Sequence, residues 1–497
     1  MIQALPALLA QAATDATTSA ANSAANSAAN SARLLPIIAL FTLGPLAVLV
    51  LTRPIDAVHL ALGFAATTAM WAIGYVAMMA PGFWIGELLF MATLGVPVVA
   101  GAFARRSGAS PVKVGLVSAF ANLLVIGAFL RDEQGGSQLA PVGYVVGLFA
   151  VTAGLAAVGG ALARRARPIV IASPVGLFAV VCATTVLILL VTGGLVTGLE
   201  SGLAVPDWPN SFGHNMLLYP LSEMKGGIYY EHAHRLFGML VGTAALVFVG
   251  LVFREERRGW VRTIACVFLG MVCVQGLLGG LRVTGRLTTA TAGLELQPST
   301  LLAIVHGMFG QIVLATACVL AVVTSGRWAS SSPITAGDAG ARMRTLPLVL
   351  VGAIVVQLFL GASYRHLQIP PSDGVAAQHP AWAIWGHICG ALVVLVIAVA
   401  TGATASTRAG ACAPMRVLGK GLVHAVGLQV ALGIGALVVV LMRVDAAIPI
   451  YEVVTTSAHQ ALGALLLAMS AMLAAWSLRT ASHAEASSAL TPTASMT

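Results

Sequence analysis

The chain has 497 residues, of which 58% are hydrophobic and 9% charged, with a formal net charge of +9. A soluble domain carries roughly a quarter charged residues, so this balance excludes a soluble enzyme, a nucleic-acid-binding module and a disordered protein. Several segments run about 20 residues without a charge, enough to cross a hydrocarbon core about 30 Å thick. The fold class expected is all-α, a polytopic membrane protein, and the excess of basic residues then marks helix ends rather than acidic partners. Six cysteines (Cys182, Cys266, Cys273, Cys318, Cys389, Cys412) lie in or beside apolar segments with no CxxC pair. That pattern suggests neither a disulfide framework nor a zinc site.

Residues 1–34 are dominated by Ala, Ser and Asn and repeat NSAA near residues 22–29, the composition of a flexible tail. The apolar run Ala4–Ala10 lacks the preceding basic residue of a secretory signal. Thirteen candidate spans follow, near 35–52, 56–80, 82–103, 110–130, 139–163, 170–198, 233–253, 263–284, 298–324, 345–366, 381–404, 418–442 and 452–478. The expected organisation is about five extra N-terminal helices in 35–163, two four-helix bundles in 170–325 and 345–480, and a cytoplasmic tail in 481–497. Alternate loops carry Arg164, Arg165 and Arg167, then Arg254, Arg257, Arg258 and Arg262, then Arg327, Arg342 and Arg344, then Arg408, Arg416 and Lys420, with Arg479 at the end. These fourteen basic residues share one side, which the positive-inside rule makes cytoplasmic. The opposite loops hold Glu200, Asp207, Glu223, Glu295, Asp373 and Asp445. Such a chain is expected as a multi-pass protein of the inner (plasma) membrane.

Four histidines stand near the outer ends of alternate spans. His234 to His306 is 72 residues and so is His387 to His459, while the half-to-half offset is 153 in both cases. Gly238, Gly310 and Gly463 follow their histidines by four positions and Gly390 follows His387 by three. HGMFGQIVLA from His306 resembles HQALGALLLA from His459, so the chain contains a duplicated four-helix unit. One intramembrane histidine usually bonds a neighbouring helix. Four at matched depth, roughly 10 Å from the outer end at 1.5 Å per residue, point to function. Paired neutral imidazoles facing each other across a bundle are natural axial ligands for haem iron, which predicts two haem sites. The glycine one turn along is expected to make room for the flat macrocycle. His59, His214, His379, His424 and His483 lack this pattern and are expected to be structural, as is His232 on another helix face, whereas His366 either bonds a haem propionate or caps its helix.

Glu231 precedes His234 by three residues and shares its helix face, whereas the corresponding place before His387 is Ile384. One half thus carries an acid beside its histidine and the other does not. That acid either orients an imidazole, moves protons or stabilises a cation, or simply favours the helix start. Arg235, Arg282 and Arg365 at outer helix ends either clamp haem propionates through the guanidinium fork or snorkel to the interface.

The stretch GGLVTGLESGLAVPDWPNSFG (193–213), the Glu231-x-x-His234-Arg235 motif and the four spaced histidines together resemble the haem A synthase family over about residues 170–480. The resemblance implies an eight-helix core of two four-helix bundles that oxidises a methyl group of haem O to the formyl of haem A by successive hydroxylations, for terminal oxidases. It also implies a haem B cofactor on His387 and His459, with Arg365 beside it. Haem O would be the substrate on His234 and His306, with Arg235 beside it and Glu231 catalytic. Its expected partners are a membrane electron donor, a haem O synthase and terminal-oxidase assembly, with no nucleic acid. Two features depart from the family: Val205 and Ser211 stand where bacterial relatives often carry a cysteine pair, and residues 35–163 have no counterpart in its core. No Asp-rich motif of a prenyltransferase occurs in 35–163, and Glu87, its deep acid, has no assigned task. The competing readings are a bis-histidine di-haem electron-transfer cytochrome and a haem transporter or chaperone. Glu231 in one half only favours the enzyme.

Overall fold

The computed structural model describes residues 45–80, 82, 84–130, 140–285, 300–330, 338–367, 380–407, 413–443 and 448–489. The expected N-terminal tail, His379, Glu295, Asp373, Asp445, Arg408 and Cys412 lie outside the described residues. Met1–Pro54 and Ile55–Thr497 are separate compact units. In the first, residues 45–52 form a helix, α1, in which Thr52 Oγ1 donates to Val48 O at 2.7 Å.

The second unit begins with α2 (Ala57–Met78), α3 (Trp84–Arg106), α4 (Pro111–Leu130) and α5 (Ala140–Leu162). It continues with α6 (Pro174–Gly198), α7 (Gly227–Glu255), α8 (Gly259–Thr284), α9 (Thr300–Val323) and the short α10 (Gly326–Ser330). It closes with α11 (Asp338–His366), α12 (Ala381–Thr407), α13 (Ala413–Leu441) and α14 (Ile450–Ala489). Eleven of these helices are long and apolar enough to cross a membrane, and Pro111–Val125 of α4 is a shorter apolar helix. The protein is an all-α, multi-pass membrane protein. In such a setting each helix satisfies its own backbone groups.

Helices α6 to α9 pack in a ring, each against two neighbours, and α11 to α14 do the same. The rings meet where α14 packs on α6 and α9, and α11 on α9. A Cβ at Gly194 would meet Gln460 Oε1 at 3.2 Å and one at Gly198 would meet Val453 Cγ1 at 2.9 Å, so two small residues one turn apart let α6 and α14 approach closely. The arginine-bearing turns gather at one end. Arg254 NH1 donates to Ile55 O at 2.9 Å, Arg258 NH2 to Val323 O at 2.8 Å and Arg106 Nε to Arg167 O at 3.0 Å. There the Arg258 guanidinium pairs with Glu256 and holds its carboxyl below the usual carboxylate range. Helix α14 runs on to Ala489, beyond the span ending near 478, because Ala-rich sequence keeps a high helix propensity after the apolar stretch ends.

Helices α2 to α5 pack on one another, and α2 lies against α6. Buried hydroxyls and aromatic rings join the two groups: Thr68 Oγ1 is 2.9 Å from Thr185 Oγ1, and Tyr229 OH donates to Tyr75 O at 2.6 Å with the two rings stacked. A variant lacking residues 1–163 keeps Arg164, Arg165 and Arg167 and is expected to insert with its N-terminus on the arginine-rich side. It loses the Thr68–Thr185 and Tyr229–Tyr75 hydrogen bonds, of about 0.6 kcal/mol each, the Arg254–Ile55 bond and the ring contacts of Phe64, Trp71 and Tyr75, so its unfolding midpoint in detergent is expected to fall. Reversed accessibility of cysteines placed in residues 164–173, or an unchanged midpoint, would contradict this account.

Candidate site at the four histidines

Each of the four histidines sets its ring against a glycine of the helix that precedes its own. A Cβ at Gly193 on α6 would stand 2.9 Å from His234 Cε1, and one at Gly279 on α8 would stand 3.1 Å from His306 Cε1. The second ring repeats this, with Gly361 on α11 at 2.9 Å from His387 Cε1 and Gly433 on α13 at 2.9 Å from His459 Cε1. Real Cβ atoms do not come this near an imidazole, so the four glycines form notches that seat the rings. All four histidines are half-buried, covered on the notch side and not sealed elsewhere.

Glutamines one turn before three of these glycines hold the histidine helices in register. Gln275 Nε2 donates to His306 O at 2.8 Å, Gln357 Nε2 to His387 O at 2.7 Å and Gln429 Nε2 to His459 O at 3.1 Å. The glycines one turn after the histidines were expected to make room for a macrocycle. Instead Gly310, Gly390 and Gly463 receive the side chains of Gln275, Gln357 and Gln429, and only at Gly238 does a Cβ meet open space. Neither the notch glycines nor the glutamines came from reading titratable residues, although Gln–His intervals of 31, 30 and 30 were open to inspection.

His387 Nδ1 lies 3.1 Å from Gln357 O, which can only accept, so Nδ1 carries the proton and Nε2 is free. At His306 and His459 no hydrogen bond closes on Nδ1, and Gln429 Nε2 lies 3.4 Å from His459 Nε2. The centroids of His387 and His459 are 6.1 Å apart. Two imidazoles on opposite sides of a metal ion, each with a nitrogen about 2 Å from it, place their centroids roughly 6 Å apart. The second-half pair therefore fits an axial pair for iron. His306 lies within electrostatic reach of His234 in the first half.

Glu231 is 3% exposed, and both its oxygens are engaged: Oε2 accepts Val205 N–H at 3.0 Å and Oε1 accepts Arg235 NH2 at 2.6 Å. The Arg235 guanidinium also donates to Val205 O at 2.6 Å, Asp207 O at 2.7 Å and Asn210 O at 3.1 Å. Arg235 therefore latches the loop after α6. The loop is built to stay. Asp207 accepts the Phe212 and Gly213 N–H groups at 2.7 Å each, and positive φ at those two residues (49° and 75°) turns the hairpin pairing Asn210–Ser211 with His214–Asn215. Trp208 packs where a Cβ on Gly280 would be, tying the loop to α8. Val205 and Ser211, the places of the family's cysteine pair, are both fully buried. Ser211 Oγ sits 3.0 Å from His232 Nδ1, so His232 serves the loop.

Arg365 NH2 donates to Thr197 O at 2.8 Å, joining the outer end of α11 to that of α6. Arg282, Glu200 and Glu452 lie within electrostatic reach of Arg365, so this junction mixes both signs of charge. His59 Nε2 accepts Ser110 N–H at 2.9 Å and His424 is exposed, which leaves both outside the four-histidine pattern. Glu87 is exposed near the start of α3 and touches none of these groups.

A sequence profile of the COX15-CtaA family, described as cytochrome oxidase assembly protein, matches residues 176–471, from α6 into α14. A heme A synthase of Caulobacter sp. (strain K31) is 26% identical over 352 residues, covering 62% of this chain and 96% of that protein. The heme A synthase COX15 of Homo sapiens is 32% identical over 138 residues, 21% of this chain and 32% of that one. For the heme A synthase of Rhodopseudomonas palustris (strain BisB18) the figures are 25% over 177 residues, 34% of this chain and 46% of the relative, so there the match spans under half the relative's length. With more than half of its residues matched by the profile, the chain belongs to the COX15-CtaA family of cytochrome oxidase assembly proteins.

Proposed function

We propose that the chain is an oxidoreductase of the inner (plasma) membrane that converts a methyl group of haem O into the formyl group of haem A, as the names of its relatives indicate for them. The observation that carries this reading is the doubled histidine pair in notched helices, with Glu231 one turn before His234 and Ile384 in the matching place before His387. His387 and His459 would hold haem B, and His234 and His306 the haem O substrate. Bound haem B supplies one-electron redox chemistry, tuned by its axial histidines and their outer hydrogen bonds. The chain's own residues then bind, orient and shield. Gln357 holds His387 in the ligating tautomer. The latched loop 205–215 over the first half excludes water from the substrate's outer edge. Glu231 lies one turn before His234, and its charge favours positive charge developing on the carbon being oxidised. Arg235 acts through the loop and the orientation of Glu231, and Arg365 through the junction between halves. Each hydroxylation takes two electrons from the carbon, which dioxygen activated with electrons from a membrane donor would accept while supplying the oxygen atom, and a haem O synthase would supply the substrate.

The test is the pigment extracted from cells that express the chain together with a haem O synthase. Haem A or its hydroxylated precursor is the expected product. Unchanged haem O would replace this reading by that of a di-haem electron-transfer cytochrome or a haem carrier.

A further inference from the structure

Three of the four histidine modules share one motif in the helix opposite the ring: Gln275-Gly-Leu-Leu278-Gly279, Gln357-Leu-Phe-Leu360-Gly361 and Gln429-Val-Ala-Leu432-Gly433. The module of His234 reads Leu189-Leu-Val-Thr192-Gly193, so the polar group has moved from the first position to the fourth. Thr192 is 1% exposed, and its Oγ1 lies 2.9 Å from Leu189 O and 3.1 Å from His234 Nδ1. Leu189 O is the counterpart of Gln357 O, which accepts from His387 directly. At His234 a hydroxyl joins the Leu189 carbonyl beside the ring.

From this geometry we infer that Thr192 is a positioning residue that selects the ligating tautomer of His234, an inference that rests on the reading of His234 as a haem ligand. A hydroxyl has one proton, and Leu189 O can only accept it. With that proton directed to Leu189 O, the oxygen is left to accept from His234, so the ring proton sits on Nδ1 and Nε2 keeps its lone pair. With the hydroxyl turned the other way, Nε2 would carry the proton and could not bind iron. Outer hydrogen bonds of this kind fix the tautomer and orientation of metal-binding histidines, and their loss typically weakens metal affinity about 10–100-fold. Val in place of Thr keeps the shape but removes the nearer acceptor, leaving Leu189 O as the one remaining partner for Nδ1–H on that side.

The experiment loads the purified full chain with ferric iron protoporphyrin IX and records low-spin signals by electron paramagnetic resonance. The signal that His306→Ala removes belongs to the first half, and the other serves as a check on folding. In Thr192→Val the first-half signal should convert to high spin, and haem from that half should pass to apomyoglobin at least about tenfold faster. The second-half signal should be unchanged. Thr192→Ala should behave as the valine variant does, and Thr192→Ser should restore the wild-type spectrum and rate. A Thr192→Val protein with both signals and the wild-type release rate would overturn the role of Thr192, as would a serine variant as impaired as the valine one. A wild-type protein with a single haem signal that His306→Ala leaves intact would instead overturn the first-half ligand assignment, and the role of Thr192 with it.

Discussion

Replacing His387 or His459 by alanine is expected to strip the second half of tightly bound haem and abolish its low-spin spectrum. The two rings stand 6.1 Å apart by centroid, each seated in a glycine notch, and Gln357 O holds the tautomer that leaves Nε2 of His387 free. Removing either ring turns a six-coordinate iron into a five-coordinate one. The other two notched imidazoles, His234 and His306, belong to α7 and α9 of the first ring, so no substitute ligand stands ready in the second. The fold should survive. Each ring is half-buried, its helix is held by a glutamine bond to the backbone carbonyl, and that bond persists when the side chain is cut back. His424→Ala is the control: His424 is exposed, its Nδ1 lies 2.7 Å from Lys420 O in its own helix, and its loss should leave haem content unchanged. The measurement is haem per mole of purified protein with its absorption spectrum. Wild-type content and spectrum in either second-half variant would remove these two histidines from haem binding.

The positions of the helices were legible because apolar runs of about 20 residues bounded by charge have few other uses. The histidine spacing was legible because duplication leaves equal intervals. The seats of the rings were not. A notch is an absent side chain, and Gly193, Gly279, Gly361 and Gly433 are four among 53 glycines until the opposite helix is known. The glutamines went unnoticed because an uncharged amide in an apolar helix does not stand out when the search is for titratable groups. The latch could not have been foreseen at all. Arg235 binds the carbonyls of Val205, Asp207 and Asn210, and a backbone carbonyl carries no signature of residue type. At Arg235 the structure shows a role in holding the loop that the propionate expectation did not include.

Replacing Glu231 by glutamine is expected to lower haem A formed per mole of second-half haem by at least about tenfold, with haem O accumulating, since electrostatic groups at reacting centres commonly contribute two or three powers of ten. The geometry separates two jobs for this side chain. As a latch it accepts Val205 N–H through one oxygen and Arg235 through the other. As a charge it stands one turn from His234, and Ile384 takes its place in the other half. Glutamine keeps an acceptor for Val205 N–H but turns a neutral amide toward the guanidinium. Arg235 retains three carbonyl partners, so the loss to the latch is that of one hydrogen bond to a charged group, about 1.5–3 kcal/mol. That much loosens a loop without unfolding a bundle, and it can be read on its own as faster proteolysis within residues 203–215. Arg235→Lys keeps a cation beside the Glu231 carboxylate, but a single ammonium cannot span the three carbonyls that the guanidinium holds, so it should loosen the loop further than Glu231→Gln does. If Glu231 acts through its charge, turnover per haem falls more in Glu231→Gln than in Arg235→Lys, against the order of loop cleavage. If it acts only as a latch, turnover follows cleavage and Arg235→Lys is the worse variant. Full turnover in Glu231→Gln would take the carboxylate out of the chemistry and leave it as a fastening for the loop.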